Sequence, residues 1–191
     1  ILSHSFFESH PEIFFQYYKK YLLFPNAKPN ACHFALAQLE KMGKLKAVVT
    51  QNIDNLHQLA GSKHVLELHG TLYRNYCVHC KKEFSLEYVM TQEGITHCDR
   101  CGAMVRPDVV LYEEGLNEET LEEALRCISE AEMLIIGGTS LNVYPAAGLV
   151  RYYRGKKLVL INKSETPYDY HADLIIRDPI GQVFSGVMVE I

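Results

Sequence analysis

Apolar positions recur along this chain with two periods, and each period predicts its own kind of element. Residues 11–23 place Phe14, Phe15, Tyr17, Tyr18 and Tyr21 at helical spacing, and Pro25 and Pro29 then mark a loop. A second helix is predicted over about 30–42, with Cys32, Ala35, Leu36, Leu39 and Met42 on one face and Gly43 at its stop. Short apolar runs at 45–50, 64–68, 133–136, 158–161 and 174–176 read as strands, with Val48, Val49 and Leu66 as core residues. Between them a helix is predicted near 117–130, capped by Asn117, acidic in its first turn at Glu118 and Glu119, with Leu121, Leu125 and Ile128 inward. Another helix is predicted from 145. Strands that are apolar throughout and alternate with helices argue for an α/β fold: a parallel sheet with helices on both faces. The sequence contains no internal repeat and no low-complexity segment.

Composition narrows the class. The 191 residues are 48% hydrophobic and 22% charged, which suits one or two globular units. A net charge of −4 and the lack of a Lys/Arg-rich run argue against direct nucleic-acid binding. No apolar run approaches the roughly 20 residues needed to span a bilayer, so a cytoplasmic protein without membrane contact is expected. The chain opens on Ile1 and runs directly into Ser3-His4-Ser5-Phe6-Phe7.

Four of the six cysteines are patterned. Cys77 and Cys80 form one C-x2-C pair and Cys98 and Cys101 another, with residues 81–97 between them, a spacing typical of a zinc ribbon. Two knuckles of this kind complete a tetrahedral thiolate shell with no open position, which predicts a structural Zn2+, one per chain. Two disulfides or a redox dithiol are the alternatives. His79 and His97, beside the knuckles, read as exposed polar residues; Cys32 and Cys127, within helical patterns, read as small core residues. The cysteine module interrupts the strand-helix alternation and is expected to be a small domain inserted into a larger one.

Three predicted strands end abruptly in polar residues. Val48-Val49 is followed by Thr50-Gln51-Asn52-Ile53-Asp54, Leu66-Glu67-Leu68 by His69-Gly70, and Leu134-Ile135-Ile136 by Gly137-Gly138-Thr139-Ser140. In an open parallel sheet the crevice at the carboxyl ends of the strands is where ligands bind. The glycines there allow backbone N–H groups to approach a phosphate, and the hydroxyls add donors.

These strings, T-Q-N-I-D, L-H-G, the doubled C-x2-C, R-P-D-V-V, G-T-S-L-x-V-x-P and L-I-N, in this order from about residue 3 to 184, resemble those of the sirtuins, NAD-dependent protein lysine deacylases of the bacterial deacetylase type. The resemblance implies a Rossmann-like domain over 30–70 and 108–191, a helical part of a small domain over 1–29, and a zinc module over 71–107. It implies that His69 is the general base, that Gln51 and Asn52 address the nicotinamide-side ribose of NAD, and that Ile53 and Asp54 hold the carboxamide. Gly138, Thr139 and Ser140 match contacts to the adenosine ribose and phosphate, Asn162 and Lys163 the adenosine-side turn, and Ile180 the adenine. Val110, Tyr112 and Glu114 on one side and Asn142 and Val143 on the other match the two edges between which an acylated-lysine peptide lies as an added strand. The products implied are nicotinamide, O-acetyl-ADP-ribose and the free lysine, made by a monomer. His4, His10, His33, His57, His64 and His171 have no assigned role.

The sequence departs from the family pattern in two ways. The family commonly has Phe-Gly-Glu where this chain has Tyr112-Glu113-Glu114, so a glycine's backbone freedom is lost at Glu113. The Gly-Ala-Gly strand-to-helix turn with which a sirtuin normally begins does not precede Ser3, so the chain as printed is expected to bind NAD weakly and to be inactive without that turn. Two other functions share these residues: mono-ADP-ribosyl transfer to protein, and a non-catalytic NAD- or zinc-bearing interaction module.

Overall fold

The computed structural model describes residues 1–187; residues 188–191, the end of the predicted NAD-binding domain, lie outside the described residues. The chain forms α1 (His4–Ser9), α2 (Pro11–Tyr17), α3 (Ala31–Lys41), β1 (Val48–Thr50), α4 (Leu56–Ala60), β2 (Val65–Glu67), β3 (Gly70–Cys77), β4 (Glu83–Ser85) and α5 (Leu86–Met90). It continues with β5 (Val105–Val109), α6 (Glu118–Glu130), β6 (Met133–Gly137), a 3-10 helix (Ala146–Tyr152), β7 (Lys157–Ile161), β8 (Leu174–Ile176) and α7 (Ile180–Val187). It divides into two compact units, one of Ile1–Ala27, Thr50–Asn55 and His69–Leu116, the other of Lys28–Val49, Leu56–Leu68 and Asn117–Ile191. Residues 50–55, 69–70 and 108–116, predicted as part of the NAD-binding domain, thus group with the cysteines. Backbone pairing explains this: the Leu72 N–H donates to the Ile53 carbonyl, and Gly70 pairs with Val109.

The cysteine-bearing unit is organised around aromatic residues. Pro11 occupies the first turn of α2, where its missing N–H is not needed, and the helix turns Phe14 and Phe15 into the interior. The chain then widens into one π-helical stretch, Tyr18–Leu22, that keeps Tyr18 fully buried. Phe7 meets Phe14 edge-on, with ring centroids 4.8 Å apart at 74°. These rings pack with Leu72, Phe84, Val89 and Val105 into one core. Each buried ring contributes on the order of 2 kcal/mol in apolar burial. The antiparallel sheet β4-β3-β5 was not anticipated, because β3 carries polar residues on its inward face. Asn75 is fully buried there, donating to the Leu72 carbonyl and accepting from the Tyr18 hydroxyl.

In the second unit the parallel order is β6-β7-β8, and a separate pair joins β1 to β2. Alternation along β7 feeds two layers. Leu160 packs with Leu141, Ala147, Ile136 and Val150, while Val159 and Ile161 pack with Cys32, Ala35, Ile176 and Phe184 from α3, β8 and α7. Helical elements therefore cover both faces of β7, the arrangement the apolar runs predicted, while Met133 and Ile135 of β6 and Leu174 and Ile175 of β8 are exposed. Asn30 caps α3 by accepting from the Cys32 and His33 N–H groups, and Asn117 caps α6 by accepting from the Thr120 N–H.

Some predicted bounds shift. Strand β1 starts at Val48 rather than 45, because the Lys44 and Leu45 N–H groups close the end of α3 on the Leu39 carbonyl. Met42 is exposed, past the last turn of α3. The helix predicted from 145 is the 3-10 helix, and α7 follows the last predicted strand, where no element was predicted. Cys127, predicted as core, is half-buried. Among the described residues no helix is long and apolar enough to cross a membrane.

Candidate active site and metal centre

The metal centre sits at the far end of β3. Cys77 Sγ lies 3.5 Å from Cys101 Sγ, and Cys80 Sγ lies 3.6 Å from Cys98 Sγ. Four thiolates on one tetrahedral ion with bonds of about 2.3 Å would be spaced about 3.8 Å apart, so the cage needs only small adjustment to fit zinc. Each knuckle is shaped by backbone: the Cys80 N–H donates to Cys77 Sγ and the Arg100 N–H to Cys98 Sγ. Left-handed residues, Lys81 at φ 58° and Gly102 at φ 75°, turn the chain after each pair. Burial works against the Cys77 thiolate, yet the N–H groups of Cys80 and His79 bring it down to about 6. The Ala103 N–H favours the Cys101 thiolate, yet burial and the neighbouring sulfurs drive that thiol up to about 12. Four sulfurs this close cannot all ionise unaided; a dication removes the conflict. His97 donates from Nδ1 to the Gly102 carbonyl and lies outside the cluster, which among the described residues consists of the four cysteines.

In the same unit the tip of β1 meets the start of β3. His69 Nδ1 lies 3.0 Å from the Gln51 carbonyl. A carbonyl only accepts, so a proton is on Nδ1, and in the neutral ring Nε2 presents its lone pair. The His69 carbonyl accepts from the Val110 N–H, which holds the residue at both ends. The turn at Gln51–Asp54 is braced by Asn52, whose N–H donates to Thr50 Oγ1. Gly70 makes this approach possible. At its φ of +74° a Cβ would stand 2.0 Å from the Asp108 carbonyl oxygen, a backbone atom. Gly70→Ala is therefore expected to shift β3 away from β5 and destabilise the protein by at least about 2 kcal/mol. A urea unfolding curve checks this.

The loop following β5 is tied to the first residues of the chain. The His4 N–H donates to the Tyr112 carbonyl and the Tyr112 N–H to the Leu2 carbonyl. Glu113 sits at φ 77°, in the left-handed region where glycine is favoured. Its carboxylate accepts from the Ser5 N–H and Oγ, which offsets a strain of about 1 kcal/mol. The lost glycine at this position is thus met by a side-chain anchor rather than by a changed turn. Glu114 is held more firmly, accepting from Arg106 at 2.6 and 3.0 Å, from the Leu111 N–H at 2.8 Å and from His4 Nδ1 at 2.8 Å.

Burial opposes the Glu114 charge, but Arg106 and the Leu111 N–H overcome it and hold its carboxyl at about 2. A folded-state value below the unfolded one means that the stabilisation is present above the unfolded value near 4.5 and fades as pH falls toward 2. Glu114→Gln is expected to lose about 2 kcal/mol at pH 7. The gap from the parent protein, read from urea midpoints, should narrow between pH 4.5 and pH 3. Val110 and Tyr112 lie on this segment, with Tyr112 exposed.

The second unit brings together the other strand tips. A cleft of about 560 Å³ is lined by Gly138, Asn162, Lys163 and Ile180 together with Asn30 and Gly181. Gly138 takes φ 64° and donates its N–H to the Ile161 carbonyl. At Gly137 a Cβ would stand 2.2 Å from Ile180 Cδ1, so the bare backbone lets the α7 start close over the β6 tip. The Asn162 side chain donates to the Ser164 carbonyl, and Arg177 donates to the carbonyls of both residues, which fixes the turn after β7. Thr139 accepts from the Leu141 N–H, while Ser140, Asn142 and Val143 are exposed on the following loop. Asn30 and the first turn of α3 were missed from sequence as part of the cleft. The signal was available in the cap itself, since a helix N-terminus offers N–H groups to an anion.

A cleft at parallel strand tips, a histidine whose ring is fixed by a main-chain carbonyl and a four-cysteine knuckle suited to zinc mark a zinc-bearing α/β protein with a ligand cleft. The Sir2 family model matches residues 1–145, and the chain belongs to the Sir2 family. It is 59% identical over 189 residues to the NAD-dependent protein deacetylase of Clostridium acetobutylicum, a match covering 98% of this chain and 77% of that protein. It is 56% identical to the protein of the same description from Clostridium tetani, over 100% of this chain and 78% of that one. A solved Sir2 holding an inhibitor, 2'-O-acetyl-ADP-ribose and a deacetylated peptide superposes with a TM-score of 0.91 at 44% identity, covering 99% of this chain and 84% of the other.

Proposed function

We propose that this protein is an NAD-dependent protein lysine deacetylase in which His69 is the general base. Relatives at this identity carry that activity, and a solved neighbour holds the acetyl-ADP-ribose product beside its peptide. NAD supplies an activated ribosyl carbon, which gives up nicotinamide and takes the acyl oxygen of the substrate lysine. The observation that carries the role of His69 is its Nδ1 contact with the Gln51 carbonyl, which leaves Nε2 free to remove a proton from a ribose hydroxyl.

In this reading Gln51 and Asn52 grip the nicotinamide-side ribose, and Ile53 and Asp54 the carboxamide. Fixed polar groups there favour the cationic character that develops at the sugar as nicotinamide leaves. Gly138, Thr139, Ser140, Asn162, Lys163 and Ile180 receive the adenosine side. Val110, Tyr112 and Glu114, with Asn142 and Val143, offer main-chain edges to the peptide, a mode that accepts many sequences. The Glu114 carboxylate acts through Arg106 and the loop backbone, and only the main chain of this residue is offered to the peptide. The zinc braces β3 against β5 and takes no part in the chemistry. The enzyme works as a cytoplasmic monomer without nucleic acid; the four thiolates suit a reducing compartment.

The test is to supply the full-length protein with NAD and an acetyl-lysine peptide and to follow products by mass spectrometry. Nicotinamide, O-acetyl-ADP-ribose and free lysine peptide in equal amounts are expected, and only when the acyl group is present. Nicotinamide release without an acyl peptide, together with ADP-ribosylated protein, would replace this reading with ADP-ribosyl transfer.

A further inference from the structure

His64, Glu123 and Cys127 converge in the second unit, as a group separate from the four cysteines. Glu123 and Cys127 are one turn apart on α6 and so share a face. His64 stands in the turn immediately before β2. Its Nε2 lies 3.4 Å from Glu123 Oε1, and Cys127 Sγ lies 3.8 Å from the same oxygen. The three potential ligand atoms all fall within 4.8 Å of one another. Around a tetrahedral ion with bonds of about 2.0 Å to nitrogen and oxygen and 2.3 Å to sulfur, the ligand edges are about 3.3–3.5 Å. The observed spacing is within a small side-chain rotation of that.

The histidine is held as a metal ligand is held. His64 Nδ1 lies 2.8 Å from the Lys46 carbonyl. A carbonyl cannot donate, so the proton sits on Nδ1, and in the neutral ring Nε2 points a bare lone pair at a carboxylate. Two acceptors face each other there, and either a proton or a cation must lie between them. The backbone around the ring is fixed as well. Glu40 accepts from the N–H groups of Lys63 and His64 at 2.9 and 2.7 Å, and the His64 carbonyl accepts from the Val48 N–H. One competitor is present: Arg126 donates to both oxygens of Glu123. That pair is a surface one, screened by solvent, and a carboxylate retains lone pairs for an ion.

We propose that His64, Glu123 and Cys127 form a second metal site, which takes Zn2+ through one nitrogen, one oxygen and one sulfur, with water in the fourth position. This donor set suits a borderline-soft ion, and Zn2+ in particular. The cation ties α6 to the turn that leads into β2. With one thiolate in place of four, and with its residues half-exposed, the site binds more weakly than the cysteine cage and exchanges its ion while the cage keeps its own.

The probe is Co2+, which gives a thiolate-to-metal absorption band when bound by cysteine. The full-length protein is first loaded with one equivalent of Zn2+, which fills the cage, and is then titrated with Co2+. One further equivalent is expected to bind, with a charge-transfer band. Cys127→Ser should abolish the band, and His64→Gln should weaken Co2+ binding at least tenfold. Both variants should keep the first zinc and the parent circular dichroism. Excess Zn2+ should raise the melting temperature of the parent protein and leave that of His64→Gln unchanged. No band in the zinc-loaded parent, or one that persists in Cys127→Ser, overturns the proposal. An unchanged second equivalent in His64→Gln does so too, and leaves an ordinary histidine–glutamate ion pair.

Discussion

His69→Ala is expected to lower turnover about 10²- to 10⁴-fold, the range that a positioned general base supplies. The variant should retain the fold and the zinc. His69 is half-buried, and its ring makes one hydrogen bond, to the Gln51 carbonyl, so removal leaves one acceptor to be rehydrated. The expected loss of stability is about 1 kcal/mol. The discriminating readout is the split between the two quantities: product formation per acetyl-peptide falls by orders of magnitude while the melting curve scarcely moves. A drop in activity that matched a drop in stability would make the histidine a packing residue.

Removing zinc is the change expected to cost the most stability. The four sulfurs close the ends of β3 and the strand returning from it, and the cage is continuous with the aromatic core through the buried Cys77 and Cys98. Without the ion, four thiols within 4.8 Å must share protons that their environments oppose. Structural zinc of this kind supplies on the order of 10 kcal/mol, comparable to the 5–15 kcal/mol that holds a typical domain together. Chelation, or Cys98→Ser, should therefore unfold the cysteine-bearing unit at ambient temperature. Near-ultraviolet circular dichroism, which reports Tyr18 and its neighbouring rings, should lose its signal, and activity should vanish with it. Retained near-ultraviolet signal after complete loss of zinc would show that the aromatic core suffices alone.

The sequence made some parts of this structure legible and hid others for physical reasons. The parallel strands β6, β7 and β8 announced themselves as short runs of Val, Ile and Leu between helices, although only β7 is buried over most of its length, and Met133, Ile135, Leu174 and Ile175 are exposed. The cap at Asn117 and the stop at Gly43 follow from the unpaired groups at helix ends, and the same reasoning went unused at Asn30. The doubled C-x2-C fixed the metal cluster by spacing alone. The antiparallel sheet escaped notice because β3 buries Asn75 and carries charge on its other face, which erases the alternation by which strands are read. The site was half legible: polar residues after apolar runs marked the strand tips, and Gly138, Asn162, Lys163 and Ile180 do line one cleft. What no pattern could show was the direction of the His69 ring, since that depends on a main-chain carbonyl, or the steric need for glycine at position 70. The clamp from Ser5 to Glu113 likewise joins residues too distant in sequence for any local pattern to pair them.

The central claim concerns one atom, Nε2 of His69. A crystal structure of the full-length protein with a non-hydrolysable NAD analogue and an acetyl-lysine peptide tests it most directly. We expect Nε2 within about 2.6–3.2 Å of a hydroxyl of the nicotinamide-side ribose, with Nδ1 still on the Gln51 carbonyl. A ring turned so that Nε2 meets a protein acceptor, or a ribose bound beyond its reach, would contradict the account.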